Sequence, residues 1–486
     1  MVNLLKRRLS PKEGQRSRCA ETDKGRQNCR GMRAFFPFRR RGKDAIMERI
    51  SIGFFRERNF FMRISLFAAL LAAFFCGTAR AEAPLPDDSA ALFSDDADVL
   101  RPHRATLLFV GDLMAHAPQL RAARRKNGYD FAPSFARVKP LISAADLAAG
   151  NLETTLGGEK RGYTGYPCFN TPDEYADALK DAGFDVLTTA NNHCMDRRVA
   201  GLFRTLKELR ARGFTTFGTY AASADREIVA VENVNGITVA FLSWTYGTNG
   251  IPVPASQDWA VARGASWEEV SGDVARARAL SPDFIVAMPH IGVEYALTPP
   301  RFVVAFAEKL LEAGVGAVIA SHPHVVQPLE LRAASGDRAP ALIAWSMGNF
   351  ISNQRAKPRD MGVIARLTLE KGNGVTRLVS ADAIPTWVQT RTKKGVRVSR
   401  VLPLFDALAN AVELQISAAD LKRLRGAHAD FTGRVLGRAV PLAEAQPAYE
   451  LEPSSQDRFS TAQFDELDRR RAAKKSGARK KNALKP

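Results

Sequence analysis

Five short apolar runs of this chain end in Asp, Glu, Asn or His, and that shared ending restricts the fold more than any other feature. The runs are TLLFVGD to Asp112, DLAAGNLE to Glu153, DVLTTANNH to His193, DFIVAMPH to His290 and VGAVIASHPH to His324. Continuous apolar segments of this length, bounded by turn residues, read as buried strands. Side chains at the carboxyl ends of strands in one sheet converge on one crevice, where open α/β sheets bind ligands. His322 and His324 are one residue apart just past a strand end and can point to the same side of a loop. Imidazole is the commonest metal ligand. The reading is an α/β fold with a metal- or phosphate-handling centre.

The segments between these runs fit that class. Helical spacing appears over Pro133–Ser143, and Thr171-Pro172 reads as the N-cap and first residue of a helix closed by Gly183. Val199–Arg212 is amphipathic and stopped by Gly213. Asn235-Gly236 is a hairpin turn between two apolar stretches. Trp244 to Trp267 is an irregular loop of a length usually reserved for function or mobility. Helices are expected over Trp267–Leu280, Pro299–Ala313 and Ala418–Arg425, and strands over Val325–Leu331 and Ala341–Trp345. From Met361 to Val401 apolar residues alternate, which predicts antiparallel strands.

The net charge of +19 is not spread evenly. Residues 1–61 carry 17 Lys/Arg against 6 Asp/Glu, Arg63 and Arg80 add two more, and nine basic residues follow from Arg469, which leaves residues 82–468 at −3. A basic pI therefore does not argue for nucleic acid here. Met62-Arg63, the apolar run Ile64–Phe75 and Ala79-Arg80-Ala81 describe a secretory signal peptide. The expected organisation is a basic extension over 1–61 (or a true start at Met62), a signal peptide over 62–81 and a linker over 82–104. A main domain spans 105–403, a helical and irregular segment 404–464, and a basic disordered tail 465–486. Export across the inner membrane to the periplasm or cell envelope follows. Of five cysteines only Cys168 and Cys194 lie past Ala81, either as a disulfide or as two buried thiols.

Taken singly, each polar strand end has an ordinary explanation as a turn or cap residue. Together they are harder to dismiss, because four of the seven histidines follow predicted strands. Asp112, Glu153, Asn192, His290, His322 and His324 supply the nitrogen and oxygen donors that a divalent ion needs. His193, with Asn191 and Asp196, is the candidate catalytic group for proton transfer. His116, Glu294 and Asn349 are candidates for facing substrate, and His428 reads as surface.

The motifs GDLM, NLETTL, ANNHCMD, PHIGVEY, ASHPHVVQ and SMGNF, in this order over residues 105–355, resemble the CapA family of poly-γ-glutamate capsule-synthesis proteins, which is similar to the calcineurin-like metallophosphatases. The resemblance implies a four-layer α/β-β/α sandwich of the metallo-dependent phosphatase type. It also implies one or two divalent ions (Mn, Fe or Zn) and a metal-dependent hydrolase or transferase core. Asp112 matches the first metal aspartate, Glu153 the bridging acid, Asn192 and His193 the Asn-His element, and His290, His322 and His324 the later metal histidines. Met114 stands where a phosphatase has a ligand His, and Ala320-Ser321 stands where Gly commonly precedes the His. The expected partners are an anionic polymer or phosphoester and a membrane polymer-synthesis complex, with no nucleic acid. The alternative is a non-catalytic protein that binds a polyanion, or serves as an envelope-complex scaffold, through the same crevice.

Overall fold

A computed structural model describes residues 102–336 and 338–470. The expected N-terminal extension and signal peptide, the linker as far as residue 101, and the tail from residue 471 lie outside the described residues. The elements run β1 (His103–Leu113), α1 (Ala117–Ala123), β2 (Leu147–Leu152), α2 (Glu174–Ala182), β3 (Val186–Thr188), α3 (Arg198–Ala211), β4 (Thr215–Phe217), β5 (Ala230–Val234) and β6 (Ile237–Leu242). They continue with α4 (Trp267–Ala279), β7 (Phe284–Ala287), α5 (Arg301–Glu312), β8 (Ala317–Ile319), β9 (Leu329–Arg332), β10 (Ala341–Ala344), β11 (Asn349–Ile351) and β12 (Met361–Gly372). The chain ends with β13 (Val375–Lys393), β14 (Val396–Pro403), α6 (Leu404–Ala409), α7 (Ala418–Asp430), β15 (Tyr449–Glu450), β16 (Pro453–Ser454) and a helix over residues 461–470.

Strand periodicity builds the layers. In β1, Ala105, Leu107 and Phe109 enter one buried cluster while Leu108 and Val110 enter another on the opposite face. In β6, Ile237, Val239 and Phe241 join the first cluster, whereas Ala240 and Leu242 pack outward. Successive side chains of a strand point to opposite faces, so a strand apolar at every position must be covered on both sides. The shared cluster lies between two sheets, one in the order β14-β13-β12-β1-β2-β3-β4 and the other β16-β9-β10-β8-β7-β6-β5. Tyr175 and Leu179 of α2 and Leu209 of α3 cover the outer face of the first. Val270 and Val274 of α4 and Val304 and Leu310 of α5 cover the outer face of the second. This is the four-layer α/β-β/α sandwich that the motif resemblance implies.

Several local readings need correction. Pro133–Ser143 is not one helix but a 3-10 turn at Ala132–Ser134 and a short helix at Lys139–Ile142, because Pro140 lacks the amide a continuous helix requires. Thr171 does not cap α2: Asp173 is the N-cap, and the Thr171 hydroxyl lies 2.6 Å from that of Thr154. A residue before proline is held extended, which keeps Thr171 outside the helix. Ala418–Arg425 is the first part of a helix reaching Asp430. His428 is not on the surface but buried, its Nε2 2.8 Å from the Tyr449 hydroxyl. Residues 461–470 are helical, so ordered structure enters the stretch read as tail, with Phe464 packed against the outer cluster.

Candidate metal centre

β1, β2 and β3 are parallel neighbours, and so are β7 and β8. Asp112 therefore emerges near Asn151 of β2, and the loops after β3, β7 and β8 open at the same end. One close backbone approach makes this possible. A side chain on Gly111 would meet the Gly348 carbonyl oxygen at 2.1 Å. Without it, Asp112 N–H donates to that oxygen at 3.0 Å, and Asp112 pairs in register with Asn349 of β11.

Asp112 Oδ1 accepts from Asn151 Nδ2 at 2.8 Å, and Asp112 Oδ2 lies 3.0 Å from His324 Nδ1. A carboxylate can only accept there, so His324 donates from Nδ1 and keeps the lone pair of Nε2. That Nε2 is 3.8 Å from Glu153 Oε1. His290 Nε2 lies 3.7 Å from the same oxygen. Asn151 Nδ2 also sits 3.2 Å from His290 Nδ1, and His290 Nε2 sits 3.0 Å from Asn192 Oδ1. The His290 ring thus faces Asn151 through Nδ1, and Asn192 and Glu153 through Nε2. Ligand atoms of Asp112, Glu153 and His290 all lie within 4.8 Å of one another.

Glu153 is the anomaly of the cluster. It is fully buried, and among the described residues neither carboxylate oxygen meets a hydrogen-bond donor, its close polar neighbour being the Asp112 carboxyl. Burial first, then the neighbouring Asp112, hold its carboxyl well above the usual carboxylate range. Buried polar groups are almost always satisfied, and an orphan requires an explanation. A divalent cation among Glu153, Asp112, His290 and the Nε2 of His324 would satisfy it, with hard oxygen and imidazole donors of the expected kind. The residues present fit the implied ion. His322 Nδ1 is likewise buried without a hydrogen-bond partner among the described residues, and burial pushes this histidine down to about 3. Met114 is buried and apolar, so it adds no donor to the cluster.

His322 also carries backbone strain. Its φ is 106° and that of His324 is 56°. Positive φ at a β-carbon-bearing residue costs on the order of 1–3 kcal/mol and persists where surrounding bonds over-determine it. Here Ser321 N donates to Pro289 O, Ile291 N to Ser321 O and Tyr295 N to Pro323 O, all within 3.0 Å. Both His322→Gly and His322→Ala lose the imidazole, but only glycine relieves the strain. The glycine variant is therefore expected to be about 1 kcal/mol more stable than the alanine variant, as urea titration of the pair will show.

The remaining predicted residues fall into distinct places. His193 Nδ1 lies 2.8 Å from Asp196 Oδ2, which also accepts the Phe169 amide at 2.6 Å. The carboxylate thus fixes the imidazole with Nε2 turned outward, 3.5 Å from Asn249 Nδ2. Asn191 acts by positioning: its Nδ2 donates to Asn151 Oδ1 and Leu152 O, and its Oδ1 accepts the His193 amide. His116 caps α1 and packs edge-on against Phe169, with ring centroids 5.1 Å apart. Glu294 is exposed at the rim. Asn349 is buried; its Nδ2 donates to the carbonyls of Arg359 and His324 at 2.8 and 3.2 Å, and its Oδ1 has no hydrogen-bond partner among the described residues. Cys194 packs with Met195, Val199 and Leu202, and burial pushes its thiol up to about 12, which does not suit a ligand.

Three contributors escape the sequence reading. Asn151 bridges Asp112, His290 and Asn191, yet it looks like a strand residue beside Glu153. Asn249 and Tyr246 come from the long irregular loop after Trp244. Asn249 accepts from Asn192 Nδ2 at 3.1 Å, and the Tyr246 ring stands 4.4 Å from that of His322. The loop's length pointed to function, but nothing in its sequence singled out these two side chains.

The family described as "Bacterial capsule synthesis protein PGA_cap" matches residues 106–354, which span every residue of the centre. The chain belongs to this family. It is 27% identical over 364 residues to the PGA biosynthesis protein CapA of Bacillus subtilis (strain 168), covering 74% of this chain and 90% of the relative. It is 25% identical over 312 residues to the capsule biosynthesis protein CapA of Bacillus anthracis, covering 60% and 70%. Among solved structures, the 5'-nucleotidase precursor from Thermus thermophilus is similar at a TM-score of 0.35 and 16% identity, covering 64% of this chain and 59% of that one.

Proposed function

We propose that this PGA_cap family member is an exported protein of the cell envelope that acts in capsule or poly-γ-glutamate polymer biosynthesis or export. In this reading its core is a divalent-metal-dependent hydrolase or transferase acting on an anionic polymer or a phosphoester. The observation that carries the reading is Glu153, fully buried with no donor to either carboxylate oxygen among the described residues, between Asp112, His290 and His324. The names of the Bacillus relatives support the polymer context, and the signal-peptide pattern over residues 62–81 supports export. The residues that would hold the ion are Asp112, Glu153, His290 and His324, with His322 and Asn192 beside them. The chemistry such an ion supplies is charge neutralisation and Lewis-acid polarisation of a phosphoryl or carbonyl oxygen.

The protein's own groups do the rest. Asp196 holds His193 with its proton on Nδ1, so Nε2 is a basic site at the mouth of the centre that takes a proton from a nucleophile and returns it to a leaving group. Asn191, through the His193 amide and Asn151, keeps that imidazole in register with the carboxylate cluster. Tyr246 stands over His322 and limits water access on that side. The test is metal content. Mass spectrometry of the purified full chain is expected to find one to two Mn, Fe or Zn per chain, lost on His290→Ala and Asp112→Ala. Metal-free protein after reconstitution with each ion would sink the hydrolase reading.

A further inference from the structure

Arg359 places a cation beside this centre. Its guanidinium carbon lies over the Tyr295 ring, 3.3 Å from the centroid, and that ring stands 6.2 Å from the ring of His324. Among the described residues, no carboxylate or carbonyl bonds the guanidinium. Other half-buried arginines behave differently: Arg204, Arg226, Arg366 and Arg423 each bind a carboxylate. Stacking occupies the face of a guanidinium and leaves its planar edge of N–H donors open, the geometry that binds carboxylate or phosphate through two parallel bonds.

The arm is fastened to the centre at two points. Asn349 Nδ2 donates both to Arg359 O and to His324 O, and Asn349 itself pairs with Asp112. Tyr295 N donates to Pro323 O at 2.8 Å, between the two histidines of the β8 loop. The Tyr295 ring is thus held beside the histidine loop, and Arg359 is held beside the strand that carries Asp112. The charge balance gives the arm its purpose. Asp112, Glu153, Asp196 and Glu294 make the crevice acidic, so a substrate anion outside the reach of an ion held by Glu153 meets repulsion unless a fixed cation faces it.

We propose that Arg359, stacked on Tyr295, is the specificity arm that binds a second oxyanion of the substrate, one that is not attached at the reacting bond. The inference rests on the reading above that the centre handles an anionic polymer or phosphoester. The oxyanion is either a carboxylate of a γ-linked glutamate chain or a phosphate, and the arms of the experiment separate the two.

The full chain reconstituted with Mn²⁺ is titrated calorimetrically with γ-glutamyl-glutamate and, separately, with inorganic phosphate. Arg359→Ala is expected to weaken binding of the probe that the parent protein takes by about tenfold or more, with metal content and melting temperature unmoved. Arg359→Lys recovers part of that loss, because an ammonium keeps the charge but not the fork. Arg355→Ala, an exposed cation on the same loop, changes affinity less than about twofold, as a solvated charge should. Dependence seen only with the dipeptide assigns the carboxylate, and dependence seen only with phosphate assigns the phosphoryl group. An Arg359→Ala variant that binds like the parent, or loses no more than Arg355→Ala, overturns the arm. So does a parent protein that binds neither probe. Absence of metal from the parent, with probe binding still lost in Arg359→Ala, retires the metal reading and leaves the arm standing.

Discussion

Glu153→Gln is expected to abolish divalent-metal binding and, in metal-free buffer, to raise the melting temperature rather than lower it. Both effects come from the same orphaned carboxylate. Without a cation, Glu153 either carries a charge with no partner or holds a proton in the company of Asp112, and burial makes each state unfavourable. Glutamine keeps the shape and removes the charge. A buried group left unsatisfied costs about 1–3 kcal/mol, more when it is charged, so relief of the charged part should be measurable in EDTA. Added metal reverses the order. A ligand that binds only the folded state at a thousand times its Kd stabilises by about 4 kcal/mol, and the glutamine variant forgoes that gain. Calorimetric scans with EDTA and with saturating Mn²⁺ are thus expected to cross: variant above parent without metal, parent above variant with it. A variant that melts lower in EDTA and still retains the ion would show that Glu153 is a structural partner rather than a ligand.

The same anomaly explains how much of the centre was legible in the sequence. Asp112, Glu153, Asn192, His290 and His324 each follow an apolar strand run, and parallel strands bring their carboxyl ends to one edge, so period and position sufficed. The four-layer arrangement was legible in the motifs and is consistent with strands apolar at every position, such as Leu107 to Val110. What failed were features set by partners distant in sequence. Asn151 reads as a strand residue until His290, 139 positions later, arrives at its amide. His428 sits in a polar stretch, and only the Tyr449 hydroxyl makes its burial intelligible. Asn349 follows a strand as the other candidates do, but only the fold shows its amide nitrogen tying the Arg359 and His324 carbonyls together. Arg359 belongs to a turn with no periodicity at all, and only the stacking geometry singles it out. Local boundaries failed where proline intervened, at Pro140 and Pro172.

Metal-free protein is expected to lose stability steeply as pH falls from 7 to 5. Burial pushes His116 down to about 4 and His322 down to about 3, and it holds His290 well below its ordinary value, with mutual repulsion among the site histidines adding in the same direction. In the unfolded chain each returns to about 6.5. Between roughly pH 4 and 6.5 the unfolded state therefore binds more protons than the folded one, and stability rises with pH. The contribution is complete above about pH 6.5 and is lost as pH falls toward the folded values. Glu153 acts oppositely. Its raised carboxyl keeps a proton that the unfolded chain gives up near 4.5, which favours folding at low pH and fades as pH rises through the folded value. The three histidines outnumber the one carboxyl, so the net slope between pH 5 and 6 is positive, on the order of 1.4 kcal/mol per pH unit for each uncompensated proton. Urea midpoints in EDTA at pH 7, 6 and 5 measure this slope, and His116→Asn is expected to reduce it by about one proton's worth, on the order of 1.4 kcal/mol per unit. Metal binding steepens the dependence, because neutral imidazole is the ligand and protons compete for it. A flat profile over the same range would mean that these imidazoles are charged in the fold, and a cluster of cationic imidazoles around Glu153 would have no place for a divalent ion.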